Sequence, residues 1–212
     1  MFDTRGAVAW IEASARLVSG DAERLTDLDT AIGDGDHGRN LTRGFTAAVE
    51  KIGDATTPRA VLRGAGSALV SNVGGASGPL YGTFLRRTAK ALPDDPSVGG
   101  TALAEALAAG VDGVRELGGA AEGDKTMLDA LIPAVAALRA ALDEGTDLPA
   151  AVARAVAAAE EGARATIPLV ARKGRASYLG ERSAGHEDPG AASSVLLLTA
   201  LAEATGTTGA AS

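Results

Sequence analysis

The chain has 212 residues with no cysteine and only two histidines, so a disulfide framework and a thiolate metal site are excluded and zinc is disfavoured. A formal charge of -7 and the lack of any basic run argue against a nucleic-acid partner. Aromatic residues make up 3% of a chain dominated by alanine and leucine, a composition that suits packed helices better than sheets. The length predicts one domain spanning 1–212. No apolar run is long enough to span a bilayer and Met1–Arg5 lacks a signal-peptide pattern, so the expectation is a cytoplasmic protein without a membrane partner. The 28 glycines fall between apolar runs and read as loop material.

Asp3 or Thr4 caps a first predicted helix with an apolar stripe of Val8, Trp10, Ile11, Ala15 and Val18. Asp21 caps a second, which runs through Leu25 and Leu28 towards Ile32, and an acidic glycine turn follows. A third starts near Arg39 or Asn40 and carries Leu41, Phe45 and Val49. Thr57-Pro58 starts a fourth, which breaks at Gly74-Gly75. Gly78-Pro79 opens a fifth, and Pro93 to Gly100 reads as a loop. The sixth runs from about Thr101 to Leu117, and the seventh from about Lys125 to Leu142 with a kink expected at Pro133. The eighth covers Leu148 to about Arg172. Lys173 to Asp188 has no usable periodicity, and a loop of that size suits an active-site lid. Pro189 opens a last helix, and Thr205–Ser212 reads as a frayed tail. Short connections between helices predict an all-α, up-and-down antiparallel bundle.

Three carboxylates crowd the turn Leu28-Asp29-Thr30-Ala31-Ile32-Gly33-Asp34-Gly35-Asp36-His37-Gly38. Such groups repel one another unless water or a cation separates them, and glycines let the backbone aim them at one point. Oxygen ligands without cysteine favour a hard cation, Mg2+ above all. An ordinary solvated turn is the competing reading. Two details weaken it. Asp29 lies near a helix C-terminus, where the macrodipole disfavours a carboxylate, and the next helix offers free N–H groups to a phosphate. The EF-hand spacing is absent, so calcium is a poor second. Gly33, Gly35 and Gly38 spell the dinucleotide fingerprint, but no buried strand precedes them and acids stand where an anion must go.

Gly74–Pro79 also leads into a helix, with Ser77 as a hydroxyl donor, although alone it reads as a plain helix–helix turn. Gly118 to Thr126 misses a Walker A loop by one position, because Asp124 intervenes between Gly123 and Lys125. Met127 reads as core. Arg175 or Arg182 in the basic, glycine-hinged stretch after Lys173 could neutralise a transferring phosphoryl group, as readily as the stretch could be a solvated loop. His186 reads as structural.

Four stretches together resemble the nucleotide-binding L subunit of dihydroxyacetone kinase: Leu28–Asn40, Gly74–Gly82, Gly123–Asp129 and Lys173–Ala191. They occur in that family's order and span nearly the whole chain. The resemblance implies an eight-helix antiparallel barrel with the nucleotide at one end and a lid loop over about 173–190. It implies that Asp29, Asp34 and Asp36 hold two Mg2+ ions bridging the phosphates of ADP or ATP, with Arg175 reaching in from the lid. His37, Gly38 and Asn40 would lie against the phosphates, with Ala76 and Ser77 on the second glycine turn. Gly118 and Met127 would border the adenine, and Asp188, Pro189 and Gly190 would close the pocket. The histidine in the acidic turn points to the dihydroxyacetone branch rather than to relatives acting in fatty-acid phosphorylation.

The activity so implied is phosphoryl transfer to dihydroxyacetone held on a separate K subunit, since this chain is too short to contain that domain. In one version ADP stays bound as a coenzyme and a phospho-histidine M subunit of a phosphotransferase system recharges it. In the other, ATP exchanges with solvent and the substrate extends to related short ketoses. A nucleotide-binding module that regulates a transcription factor is a further reading, and a homodimer is compatible with all of them.

Overall fold

The structure, a computed structural model, describes residues 1–208. Among these are nine α-helices: α1 (Thr4–Gly20), α2 (Ala22–Ile32), α3 (His37–Lys51), α4 (Pro58–Asn72), α5 (Ser77–Ala91), α6 (Gly100–Gly118), α7 (Leu128–Asp143), α8 (Leu148–Ala165) and α9 (Pro189–Thr208). A 3-10 helix covers Arg175–Ser183, and two short strands, β1 (Phe2–Asp3) and β2 (Ser97–Val98), pair antiparallel with Phe2 opposite Val98. The all-α expectation holds. The strand pair escaped the sequence reading because two-residue strands carry no periodicity.

Caps set several of the helix starts. The Asp3 carboxylate accepts the Gly6 N–H at 2.8 Å, the Thr57 hydroxyl the Ala60 N–H at 3.2 Å, and the Asp147 carboxylate the Ala150 N–H at 2.9 Å. Helix α1 then buries Trp10, Ile11 and Val18. Packing proceeds from α1 to α3, α4, α5, α6, α7, α8 and α9, and α9 returns to α1. Eight helices therefore form a closed ring, with α2 laid against α3 and α9 outside it. At the seam, the Trp10 indole N–H donates to the Leu197 carbonyl at 2.8 Å, and Phe2 meets the Trp10 ring edge-on at 6.2 Å.

Several glycines are not loop material. A Cβ on Gly66 would lie 2.9 Å from the Gly82 carbonyl, one on Gly110 2.9 Å from that of Phe84, and one on Gly162 2.0 Å from that of Asp129. These glycines sit inside helices and let neighbouring backbones approach, which the count of glycines between apolar runs could not reveal.

Four helix boundaries also differ from expectation. Helix α3 starts at His37, two or three residues early, and α5 starts at Ser77, ahead of Gly78-Pro79. Helix α7 begins at Leu128 instead of Lys125, whose φ of 62° is left-handed, and it runs unbroken through Pro133. Helix α8 stops at Ala165, seven residues short of Arg172. There the chain tightens into i→i+3 bonds, Thr166 N–H to Ala163 and Ile167 N–H to Arg164, and Pro168 offers no N–H to continue. The segment read as an aperiodic loop contains the 3-10 helix, broken at Gly180 (φ 55°). Helix α9 continues through Thr205 to Thr208, so those residues are helical; 209–212 lie outside the described residues.

Candidate functional site

One cavity, about 170 Å3 in volume, lies where four helices begin. Its wall includes Asp36 and His37 at the start of α3, Ala76 and Ser77 at the start of α5, Met127 before α7, and Asp188, Pro189 and Gly190 at the start of α9. Each helix start presents the positive end of a macrodipole, although some first-turn amides are already taken, His37 N–H by Asp29 and Ala191 N–H by Asp188. Their convergence creates a local preference for an anion on a chain of net charge -7.

The acidic turn forms one edge of the cavity. Carboxylate oxygens of Asp29, Asp34 and Asp36 lie within 4.8 Å of one another. Asp29 is buried on α2, and its Oδ2 accepts the N–H groups of Asp36 at 2.9 Å and His37 at 3.2 Å. The cost of a carboxylate near the end of α2 is thus partly met by the amides of α3, a partner the sequence argument did not foresee. Two glycines make the turn feasible. A Cβ on Gly33 would sit 2.0 Å from Asp29 Oδ1, and Gly35 holds φ at 69°. The trio offers oxygen donors only, and the Arg175 guanidinium meets Asp34 Oδ2 at 3.0 Å. Three clustered carboxylates, one of them paired with a guanidinium, fit a hard divalent ion.

Opposite the acids, His37 links the glycine turn to α9. Its Nδ1 lies 3.1 Å from the Ser77 hydroxyl and its Nε2 2.8 Å from the Ser193 hydroxyl. Burial lowers the His37 pKa, although the Asp29 and Asp36 carboxylates pull the other way. Held between the two hydroxyls, the ring fixes Ser77 in place. Ser193 in turn meets the Tyr81 hydroxyl at 2.7 Å, and burial pushes that phenol up to about 12.

Beyond the glycine turn a second cavity, about 250 Å3, adjoins the first and shares Ala76, Leu80, Thr126, Met127, Lys173 and Gly174 with it. Pro79, Val114, Leu117, Gly118, Ala120 and Leu128 complete a largely apolar wall. A charged compartment beside an apolar one matches a ligand with an anionic end and a flat apolar end.

Of the residues singled out from sequence, Asp29, Asp34, Asp36, His37, Ala76, Ser77, Met127, Arg175, Asp188, Pro189 and Gly190 line the first cavity, and Gly118 lines the second. Gly38 and Asn40 do not line either. A Cβ on Gly38 would meet the Ala22 carbonyl at 2.0 Å, so this glycine seats α3 against α2, while Asn40 accepts from Arg43 at 2.9 Å. Lining residues outside that set include Ile32, Leu80, Tyr81, Lys125, Thr126 and Lys173. Lys125 and Thr126 were set aside with the failed Walker pattern, and Leu80 and Tyr81 look like ordinary core positions of α5. Asp188 is buried, which pushes its carboxyl up to about 7 against the opposing effect of the Ala191 N–H it accepts at 2.7 Å.

An all-helical ring with an acidic trio beside a cavity at four helix starts defines the class of protein: a helical domain whose candidate site fits an anionic ligand and a divalent ion. The chain belongs to the DAK2 domain family, which matches residues 31–203. It is 44% identical over 197 residues to the PEP-dependent dihydroxyacetone kinase ADP-binding subunit DhaL of Escherichia coli K12, covering 92% of this chain and 94% of that protein. It is 41% identical over 204 residues to the corresponding subunit of dihydroxyacetone kinase 1 from Listeria innocua, covering 94% and 96%. Among solved structures it resembles the dihydroxyacetone kinase of C. freundii in complex with AMP-PNP and Mg2+, with a TM-score of 0.70 and 26% identity. That match covers 93% of this chain but only 33% of the larger kinase.

Proposed function

We propose that this chain is the ADP-binding subunit of a dihydroxyacetone kinase, a single DAK2 domain over 1–212 that acts only with partner subunits. One observation carries the reading: three carboxylates within 4.8 Å of one another border a cavity onto which four helix N-termini open. Asp29, Asp34 and Asp36 hold two Mg2+ ions in this reading. Bound magnesium supplies the positive charge that lets phosphate oxygens and acidic side chains share one site. The amides of α3 and α5 and the Ser77 hydroxyl bind the phosphates, with His37 orienting Ser77. The adenine enters the apolar cavity between Gly118 and Met127. Segment 173–190 serves as the lid, and Arg175 stands at the rim to stabilise charge on the transferring group. None of these roles forms a covalent bond to the protein.

The acceptor hydroxyl is supplied by dihydroxyacetone on a K subunit. Relatives named as PEP-dependent ADP-binding subunits support ADP as a resident coenzyme, recharged by a phospho-histidine M subunit. Among the described residues no helix is long and apolar enough to cross a membrane, and the cytoplasm is the proposed location. The test is nucleotide analysis of the purified protein followed by assays with K and M subunits. We expect about one tightly held ADP per chain, the stoichiometry of a coenzyme that binds once, and dihydroxyacetone phosphate only when all three subunits and phosphoenolpyruvate are present. Product formed with ATP and the K subunit alone would replace the coenzyme version by the exchanging one. No nucleotide binding would end the proposal.

A further inference from the structure

Lys125 is an unusual residue that the proposed chemistry does not use. It is 1% exposed, it lines the charged cavity, and it is the sole non-glycine among the described residues with positive φ, at 62°. A lysine side chain seldom stays in that backbone region or fully inside a protein unless its surroundings require it. Its ammonium donates to the carbonyl of Thr166 at 2.6 Å and to that of His186 at 2.5 Å. Burial lowers its pKa, while the carboxylates of Asp188 and Asp129 favour its charge.

Those two carbonyls stand at opposite ends of one excursion of the chain. Thr166 closes α8, and His186 lies just before α9. Between them the backbone leaves the ring, forms the 3-10 helix and returns. Other bonds tighten the same neck: the Gly185 N–H reaches the Ile167 carbonyl at 2.7 Å, the Asp188 N–H reaches the Thr166 hydroxyl at 2.9 Å, and the Arg172 N–H reaches the Asp124 carbonyl at 3.1 Å. The Thr166 hydroxyl bonds across the neck from within it, whereas Lys125 reaches both sides from a separate segment of the chain.

We infer that Lys125 is a positioning residue, whose ammonium clamps the neck of segment 167–185 and so seats Arg175 and Asp188–Gly190 around the nucleotide. The idea rests on the proposed nucleotide site for its purpose, but the clamp itself is independent of it. A loop whose ends are held by one cation has its body placed by that cation. The body here carries Arg175, which reaches Asp34 at 3.0 Å across the mouth of the cavity. Two carbonyls left without their donor inside the protein would part to reach water, and the segment would open locally while the helical ring stayed closed.

The chain contains no cysteine, which allows a chemical test. The variant Lys125→Cys is alkylated in denaturant and refolded, once with 2-bromoethylamine and once with 1-iodopropane. The two adducts have nearly the same length, and only the first ends in an ammonium. Two readouts are taken: the rate of nicking by an arginine-specific protease after Arg172, Arg175 and Arg182, and the Kd for ADP with Mg2+. The propyl form is expected to nick at those sites on the order of tenfold faster and to bind ADP on the order of tenfold more weakly, with helix content unchanged. The aminoethyl form is expected to recover both.

Equal behaviour of the two adducts would overturn the inference, because packing alone would then explain Lys125. So would a propyl form that fails to refold, or that is cleaved throughout its helices, since the role would then be global. Faster nicking with unchanged ADP affinity would refute the positioning role. Failure of the unmodified protein to bind ADP would sink the nucleotide reading instead, while the nicking rates would still decide whether the clamp exists.

Discussion

Replacing Asp188 by Asn exchanges a buried carboxyl for a neutral group of the same shape. The amide oxygen can still accept the Ala191 N–H, as the carboxylate does at 2.7 Å. In the nucleotide-free protein burial raises the Asp188 pKa from 3.8 to about 7. The folded-state pKa thus exceeds the unfolded one. Between those values the native state keeps a proton that the unfolded chain has lost, so stability falls as pH rises through the window. At about 1.4 kcal/mol per pKa unit, the loss from pH ~4 to pH ~7 amounts to at most on the order of 4 kcal/mol. The Asn variant carries no such proton. Urea unfolding of both proteins across that range reports the effect of Asp188 and its coupling to Lys125 and Asp129, because titrating groups remote from it cancel in the difference. The stability difference should shift in the variant's favour between about pH 4 and about pH 7 and level off above it. Parallel pH profiles would show that Asp188 ionises normally and would refute the reasoning.

Other changes follow from the geometry. Gly33→Ala places a Cβ where Asp29 Oδ1 now sits, 2.0 Å away, and turns that carboxylate off the α3 amides. It should cost about 1–3 kcal/mol in thermal unfolding and weaken ADP binding in calorimetry. Trp10→Phe removes the indole donor to Leu197 at the seam of the ring. A loss of about 1–3 kcal/mol is expected, seen as a lower urea midpoint at unchanged m value. Chelating Mg2+ with EDTA should release bound ADP from the purified protein into the filtrate of a desalting membrane, and ADP retained after chelation would count against the ion bridge.

The helices were legible because their signals are local. Thr57-Pro58 and the apolar stripe of Trp10, Ile11 and Val18 each act within a few turns. The acidic trio was legible for the same reason, since Asp29, Asp34 and Asp36 share one turn. What stayed hidden depends on distant partners. Lys125 meets Thr166 and His186 far along the chain, and no spacing rule joins them. Tyr81 and Ser193 look like an ordinary core residue and an ordinary polar one until the fold places both beside His37. Gly38 has a second role that spacing could not show: it faces the Ala22 carbonyl and lets α3 seat against α2. The early end of α8 has one local cause, Pro168, and one distant partner that no local pattern shows, the Asp188 N–H on the Thr166 hydroxyl.

The central claim is that the acidic trio recruits Mg2+ for a nucleotide. Asp34 is the most exposed member, and its ion pair with Arg175 lies at the surface, where such pairs contribute about 0–1 kcal/mol. Asp34→Ala should therefore leave the fold intact. Calorimetric titration of ADP in the presence of Mg2+, with thermal unfolding measured alongside, compares this variant with the wild type. The account predicts tight binding to the wild type, none detectable to Asp34→Ala, and nearly equal melting temperatures for the two nucleotide-free proteins. Equal ADP affinity in both would contradict it.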